Sequence, residues 1–157
     1  MTRVLVIGAG GVFGSRLCEG LLRSGFEVVV AGRDRARAGA VEARLRAAFP
    51  QGRTEIAVLD TATLTPADLK ATGADLVADA AGPFQGAEPV TARAAIAAGL
   101  SYVDLADGRD FVAAFPALDA AAKAAGVAAL TGCSSTPGPV QRRAGPADRG
   151  LARGGLG

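Results

Sequence analysis

The chain has 157 residues, half of them hydrophobic and a fifth charged, a globular composition of single-domain size with no apolar run long enough to span a bilayer. A formal charge of +2 is too small to imply a nucleic-acid partner, and the absence of histidine removes the commonest near-neutral acid-base group and the commonest zinc ligand. Cys18 and Cys133 are too far apart for a disulfide framework or a metal motif and are expected to be reduced; Met1-Thr2-Arg3 leads straight into apolar sequence with no signal-peptide pattern, so a cytoplasmic protein without a membrane partner is expected.

Val4-Leu5-Val6-Ile7 is a short apolar run that predicts a strand over residues 3–7, buried on both faces. Four glycines follow within seven residues, Gly8-Ala9-Gly10-Gly11-Val12-Phe13-Gly14. At a strand-to-helix junction Gly8 would supply the sharp turn, Gly10 and Gly11 would let backbone amides approach a pyrophosphate, and Gly14 would let the helix lie close. The helix N-terminus adds unpaired N–H groups and a partial positive charge, so Gly8, Gly10, Gly11, Val12, Phe13 and Gly14 are candidate cofactor-binding residues. The spacing fits Gly-x-Gly-x-x-x-Gly through Gly8, Gly10 and Gly14, or Gly-x-x-Gly-x-x-Gly through Gly8, Gly11 and Gly14. Neither is the Gly-x-Gly-x-x-Gly of many NAD enzymes, and glycine clusters also mark ordinary loops. In the helix that follows, Val12, Phe13, Leu17, Leu21 and Leu22 fall on one face, and Ser24-Gly25 ends it.

A second strand, expected over residues 27–31, runs into Gly32-Arg33-Asp34, where NAD enzymes place an acidic residue on the ribose hydroxyls. Arg33 is either a bidentate partner for an adenosine 2′-phosphate, which favours NADP, or a solvated arginine at a strand end. Asp34 takes the acidic role if the strand ends one residue later, with Arg35 then assisting with phosphate. The next helix, residues 35–49, buries Val41, Leu45 and Phe49 and stops at Pro50. A third strand over residues 55–59 ends at Asp60, which either accepts a hydrogen bond from the adenine amino group or caps the turn with Thr61 and Thr63. Thr65-Pro66 starts a short helix with threonine as cap and proline in the first turn.

A fourth strand, residues 76–79, leads into Ala80-Ala81-Gly82-Pro83-Phe84, where Pro83 stiffens the loop through its fixed φ. Alanine-rich helices over residues 89–98 and 110–125 flank a fifth strand at 101–104, and a sixth strand is expected at 127–131. The fold class is therefore α/β, a doubly wound parallel sheet of about six strands in the order 3-2-1-4-5-6 with helices on both faces. Its crevice lies at the carboxyl ends of strands one and four, where Gly8–Gly14 and Ala80–Phe84 face each other.

The opening Val4–Gly14, Ala31-Gly32-Arg33, Ala81-Gly82-Pro83-Phe84, the stretch Ala97–Asp107 around Ser101-Tyr102-Val103-Asp104, and Gly132-Cys133-Ser134-Ser135-Thr136-Pro137-Gly138 occur together. As a linked set they resemble the NADP-binding domain of the saccharopine dehydrogenase-like oxidoreductases, from residue 1 to about 138. The resemblance implies NADP as cofactor, hydride transfer to a small-molecule substrate, and a homodimer. It also implies that Ala81, Gly82 and Pro83 bind the cofactor near the pyrophosphate and nicotinamide, with Tyr102 and Asp104 close to the crevice. Phe84 either covers the nicotinamide ribose or is buried under the next helix; Ser134 and Ser135 either donate to a ligand or are solvated loop residues. No catalytic acid or base is identified, Tyr102, Asp104 and Asp107 being candidates by location alone.

After Gly138 the chain departs from the family, whose members continue into a region that supplies the substrate pocket and the dimer contacts. Residues 139–157 are rich in Gly, Pro and Arg, carry no aromatic residue, and are expected to be a disordered tail, the outcome of truncation or a reading-frame change. The alternative function is an NADP(H)-sensing module without turnover. Nucleic acid is not expected, because nothing aromatic interleaves the tail arginines.

Overall fold

The computed structural model describes residues 1–134; the expected tail and Ser135 lie outside the described residues. The strands are β1 (Arg3–Ile7), β2 (Glu27–Gly32), β3 (Thr54–Val58), β4 (Leu76–Asp79), β5 (Ser101–Asp104) and β6 (Ala129–Leu130). They form one parallel sheet in the order β3-β2-β1-β4-β5-β6, as the alternation of strand and helix patterns predicts. The helices are α1 (Val12–Arg23), α2 (Arg35–Ala48), α3 (Pro66–Ala71), α4 (Val90–Ala97), α5 (Arg109–Ala114) and α6 (Asp119–Ala125).

Alternate residues of each strand feed two separate cores. Val4, Val6, Val28 and Val30 meet Cys18 and Leu22 of α1 and Val41 and Leu45 of α2 on one face. On the other, Leu5, Val29, Val77 and Tyr102 meet Leu69, Ile96, Phe111 and Phe115. Burying each such side chain contributes roughly 1.5–3 kcal/mol, which is why the strands read as unbroken apolar runs rather than alternating ones. Ala92, Ala94 and Ala95 are buried in α4, where short side chains let the helix lie close on the sheet. Thr65 and Asp68 form the capping box that starts α3, with Pro66 in its first turn.

Four local features differ from the sequence reading. Val12 and Phe13 are 69% and 66% exposed, because α1 turns Gly14, Cys18 and Leu22 to the sheet and leaves Leu17 and Leu21 half-buried at the margin. Helix α2 stops at Ala48; Phe49 is its half-buried C-terminal cap, with the Arg23 guanidinium 5.8 Å from its ring centre. The helix expected over 110–125 is broken into α5, a 3-10 turn at Phe115–Leu118, and α6. Pro116 lacks the N–H that would continue α5, and the turn places Phe115 and Leu118 in the core. β6 has two residues instead of five: the Val127 amide returns to the Ala122 carbonyl, and Thr131 and Gly132 turn toward the Asp104 side chain. Among the described residues no helix is long and apolar enough to cross a membrane.

Candidate functional site

The glycine loop joins β1 to α1 at the carboxyl edge of the sheet, and its glycines have separable tasks. Gly8 has φ +76°, and a Cβ there would lie 2.8 Å from the Ala80 carbonyl group and the Ala81 Cα. A Cβ on Gly14 would overlap the Gly8 carbonyl oxygen, and one on Gly11 would lie 3.3 Å from it. Gly8 and Gly14 are thus required by the fold, holding the loop against the β4 end and the helix against the loop. Gly10 is different: a Cβ there would meet only the stem of Arg37, at an ordinary 3.6 Å. Nothing in the protein demands glycine at this exposed position, whereas a ligand lying across the loop would.

The N-cap of helix α1 is Gly11, which has no side chain to cap it, and the first turn carries no acidic residue. The Gly11 amide closes the loop on the Gly8 carbonyl at 3.0 Å, and the first intrahelical acceptor is used by Ser15. The amides of Val12, Phe13 and Gly14 therefore lie beyond the reach of i−4 acceptors, and the positive end of the helix dipole is uncovered there. Helix α2 is the opposite case. Asp34 caps it, its Oδ1 accepting from Ala36 N at 2.8 Å and Arg37 N at 3.1 Å. β2 does run one residue further than the sequence suggests, to Gly32, but the Asp34 carboxylate is engaged in capping. Arg33, Arg35 and Arg37 are exposed, and among the described residues their guanidinium groups have no ion pair. Asp60 shows the turn-capping geometry, with Oδ1 accepting from Ala62 N at 3.0 Å.

Across the crevice, the loop after β4 runs through Ala81, Gly82 and Pro83, all exposed, with a cis peptide between Gly82 and Pro83. A cavity of about 520 Å³ opens between Gly11, Val12 and Phe13 on one wall and Ala80, Gly82, Pro83 and Phe84 on the other; Leu105, Asp107, Cys133 and Ser134 close it. Phe84 is buried in the core, edge-on to Phe111 at 5.3 Å, so it is chiefly a core residue that shows one side to the cavity. Asp107 is exposed and accepts from Gln85 Nε2 at 2.8 Å, placing a carboxylate–amide pair at the rim.

Tyr102 and Asp104 are both 1% exposed and belong to the frame beneath the cavity. The Asp104 Oδ1 accepts from Ala106 N, Thr131 Oγ1 and Gly132 N at 2.9–3.0 Å, and its own carbonyl accepts from Cys133 N at 3.0 Å. One side chain thus ties the loop after β5 to the loop after β6, both of which line the cavity. Asp79, which sequence reasoning passed over as the last residue of a strand, does the same for the β4 loop: its Oδ1 accepts from Ala81 N at 2.9 Å. It pairs in register with Asp104, and Tyr102 Oη lies 3.5 Å from its Oδ2. Burial is the main cause that raises the Asp79 carboxyl above the usual carboxylate range; Asp104 adds to the rise, while Ala81, Thr91 and Tyr102 oppose it. Burial beside two carboxylates also drives the Tyr102 phenol well above its ordinary value. Cys18 is buried, its thiol pushed up to about 12, and exposed Cys133 is raised by partial burial and by Asp104.

The uncapped α1 terminus, the open approach at Gly10 and the facing cavity fit a nucleotide diphosphate laid over the end of the sheet. A doubly wound sheet with such a loop defines a dinucleotide-binding domain. The chain belongs to the saccharopine dehydrogenase NADP-binding domain family, whose pattern it matches over residues 4–130, and its cofactor is NADP. No curated protein matches the sequence significantly. Among solved structures, a short-chain dehydrogenase from Mycobacterium smegmatis is 19% identical, with a TM-score of 0.68 over 83% of this chain and 74% of that one. A short-chain dehydrogenase from Sphingobium yanoikuyae in complex with NADPH is also 19% identical, with a TM-score of 0.57 over 83% of this chain and 70% of that one. A sorbitol-6-phosphate 2-dehydrogenase from Erwinia amylovora is 20% identical with a TM-score of 0.48; the match covers 64% of this chain, which spans 52% of that enzyme's length. The likenesses to the two short-chain dehydrogenases support the fold.

Proposed function

We propose that the domain holds NADP(H) with its nicotinamide in the cavity beside Phe84 and Asp107, presenting it for hydride transfer to a small substrate. The observation that carries this reading is the bare N-terminus of α1 opening onto a cavity walled by the β4 loop. When bound, the cofactor supplies the hydride; the chain supplies binding and orientation. The amides of Val12, Phe13 and Gly14 receive the pyrophosphate, and Gly10 lets it approach. Val12, Phe13, Pro83 and Leu105 keep water from the nicotinamide end, and Gln85 with Asp107 supplies polar partners at its rim. Arg33 reads the adenosine 2′-phosphate, and the protein works in the cytoplasm, as a homodimer, on a small-molecule substrate. The NADPH complex of the Sphingobium yanoikuyae relative supports the cofactor's placement by analogy of fold.

Titration of the purified chain with NADPH and NADH tests the reading. NADPH is expected to bind more tightly, and Arg33→Ala to weaken it by about 10- to 100-fold while leaving NADH nearly unchanged, the loss expected for one charge-assisted contact. An equal loss for both nucleotides removes Arg33 from the 2′-phosphate, and absence of binding to either overturns the whole reading. Turnover with imines, enoyl thioesters or amino acid–aldehyde condensates separates hydride transfer from the sensing alternative, in which NADPH binds without turnover and a partner protein prefers the loaded form.

A further inference from the structure

Arg37 lies in the first turn of α2, four residues after Arg33, and its aliphatic stem lies against the glycine loop. A Cβ on Gly10 would be 3.6 Å from Arg37 Cδ and 3.7 Å from Cγ. A side chain belonging to the β2–α2 region therefore crosses to the β1–α1 loop, while its guanidinium is exposed and has no ion pair among the described residues. The nearest carboxylate in sequence, Asp34, forms no ion pair with it; its Oδ1 accepts from the Ala36 and Arg37 backbone amides.

The same cap has a second effect. With Asp34 accepting from the Ala36 and Arg37 amides, α2 offers an anion little beyond the Arg35 amide, and its dipole is covered, so a phosphate at the end of β2 must be held chiefly by side chains. Asp34 also places a negative charge beside that phosphate, which the cations of this segment must outweigh. We propose that Arg37 is a second 2′-phosphate ligand of the NADP site, reaching from the first turn of α2 across Gly10 while Arg33 reaches from the strand end. Together with exposed Arg35, the two guanidinium groups outweigh the one carboxylate and leave a net positive charge for the phosphate, and the Arg37 stem already lies beside Gly10, on the path to the glycine loop.

The inference rests on the reading of the β2 end as the 2′-phosphate site, and the test separates the two. Dissociation constants are measured for NADPH, NADH, 2′,5′-ADP and 5′-ADP with the unmodified chain, Arg33→Ala, Arg37→Ala and Arg37→Lys, and thermal melts confirm the fold. Arg37→Ala is expected to weaken NADPH and 2′,5′-ADP about tenfold and NADH and 5′-ADP less than twofold, with Arg37→Lys recovering part of the loss. Equal weakening of all four ligands would place Arg37 on the pyrophosphate and overturn the proposal, and unchanged affinities would make it a solvated cover for the loop. If Arg33→Ala abolishes the preference for NADPH while Arg37→Ala does not, the 2′-phosphate site stands and Arg37 is outside it. If the unmodified chain shows no preference for the phosphorylated ligands, the site assignment itself fails, and Arg37 with it.

Discussion

Asp79 joins two demands at one position: it must hold the Ala81 amide, and it must do so 6% exposed beside a second buried carboxylate, Asp104. Its folded-state pKa is raised, chiefly by burial, so the folded protein binds the proton more tightly than the unfolded chain does. Stability from this group is fully present below the unfolded carboxylate value, about 3.9, and is lost as pH rises through the raised folded value. Asp79→Asn keeps an oxygen for Ala81 and removes the titration. The expected result in melts from pH 5 to pH 8 is a shallower fall in stability for the variant, which at pH 8 equals or exceeds the unmodified protein. A steeper fall in the variant would show that the ionised carboxylate is what the site needs. This residue was illegible in the sequence because Leu76-Val77-Ala78-Asp79 looks like any strand ending in a turn-forming aspartate. Its significance comes from register with Asp104 on a strand 25 residues later, a long-range fact. Tyr102 and Asp104 were visible as residues near the crevice, but only the structure shows them beneath it.

The glycine loop was legible as an element, since its spacing has few structural meanings between a buried strand and a helix, and so were the turn at Gly8 and the close packing at Gly14; that Gly10 alone of the three is free of close protein contact was not. That difference gives opposite outcomes for two alanine substitutions. Gly14→Ala forces a Cβ onto the Gly8 carbonyl oxygen and should destabilise the fold by about 1–3 kcal/mol, the usual range for overpacking. Gly10→Ala meets only the Arg37 stem, so its melting curve should overlay that of the unmodified chain while NADPH affinity falls about tenfold or more. Equal destabilisation by both would show that Gly10 serves the fold. Helix boundaries were readable where a cap or a core face marks them, as at Thr65 and at Val41 and Leu45. Pro116 was the overlooked signal in the 110–125 segment: the alanine content suggests continuity, and one missing N–H breaks it. Val12 and Phe13 satisfied a helical face in sequence, yet the sheet is already filled by Gly14, Cys18 and Leu22.

At the scale of the whole molecule, strand order followed from alternation and handedness alone, whereas the cavity's walls depend on two buried carboxylates, Asp79 and Asp104, that tether loops from different strands. A ligand spanning those loops stabilises the sheet by mass action, about 2.7 kcal/mol when NADPH is at 100 times its dissociation constant. In the proposed placement, that linkage resides at the helix end that lacks a cap. Helix α1 forgoes the carboxylate that α2 enjoys at Asp34, leaving a less stable terminus that is receptive to an anion. Gly11→Asp should reverse the arrangement by plugging the terminus with its own carboxylate. Without ligand, its melting temperature is expected to stay within a few degrees of the parent, because the gain of a cap offsets the tight 3.3 Å approach to the Gly8 oxygen. Added NADPH should no longer raise it; a preserved upward shift would move the diphosphate away from α1. The vacant cap is thus a standing sacrifice of self-sufficiency: one turn of helix is left incomplete by the chain itself, and in the proposed placement the nucleotide finishes it.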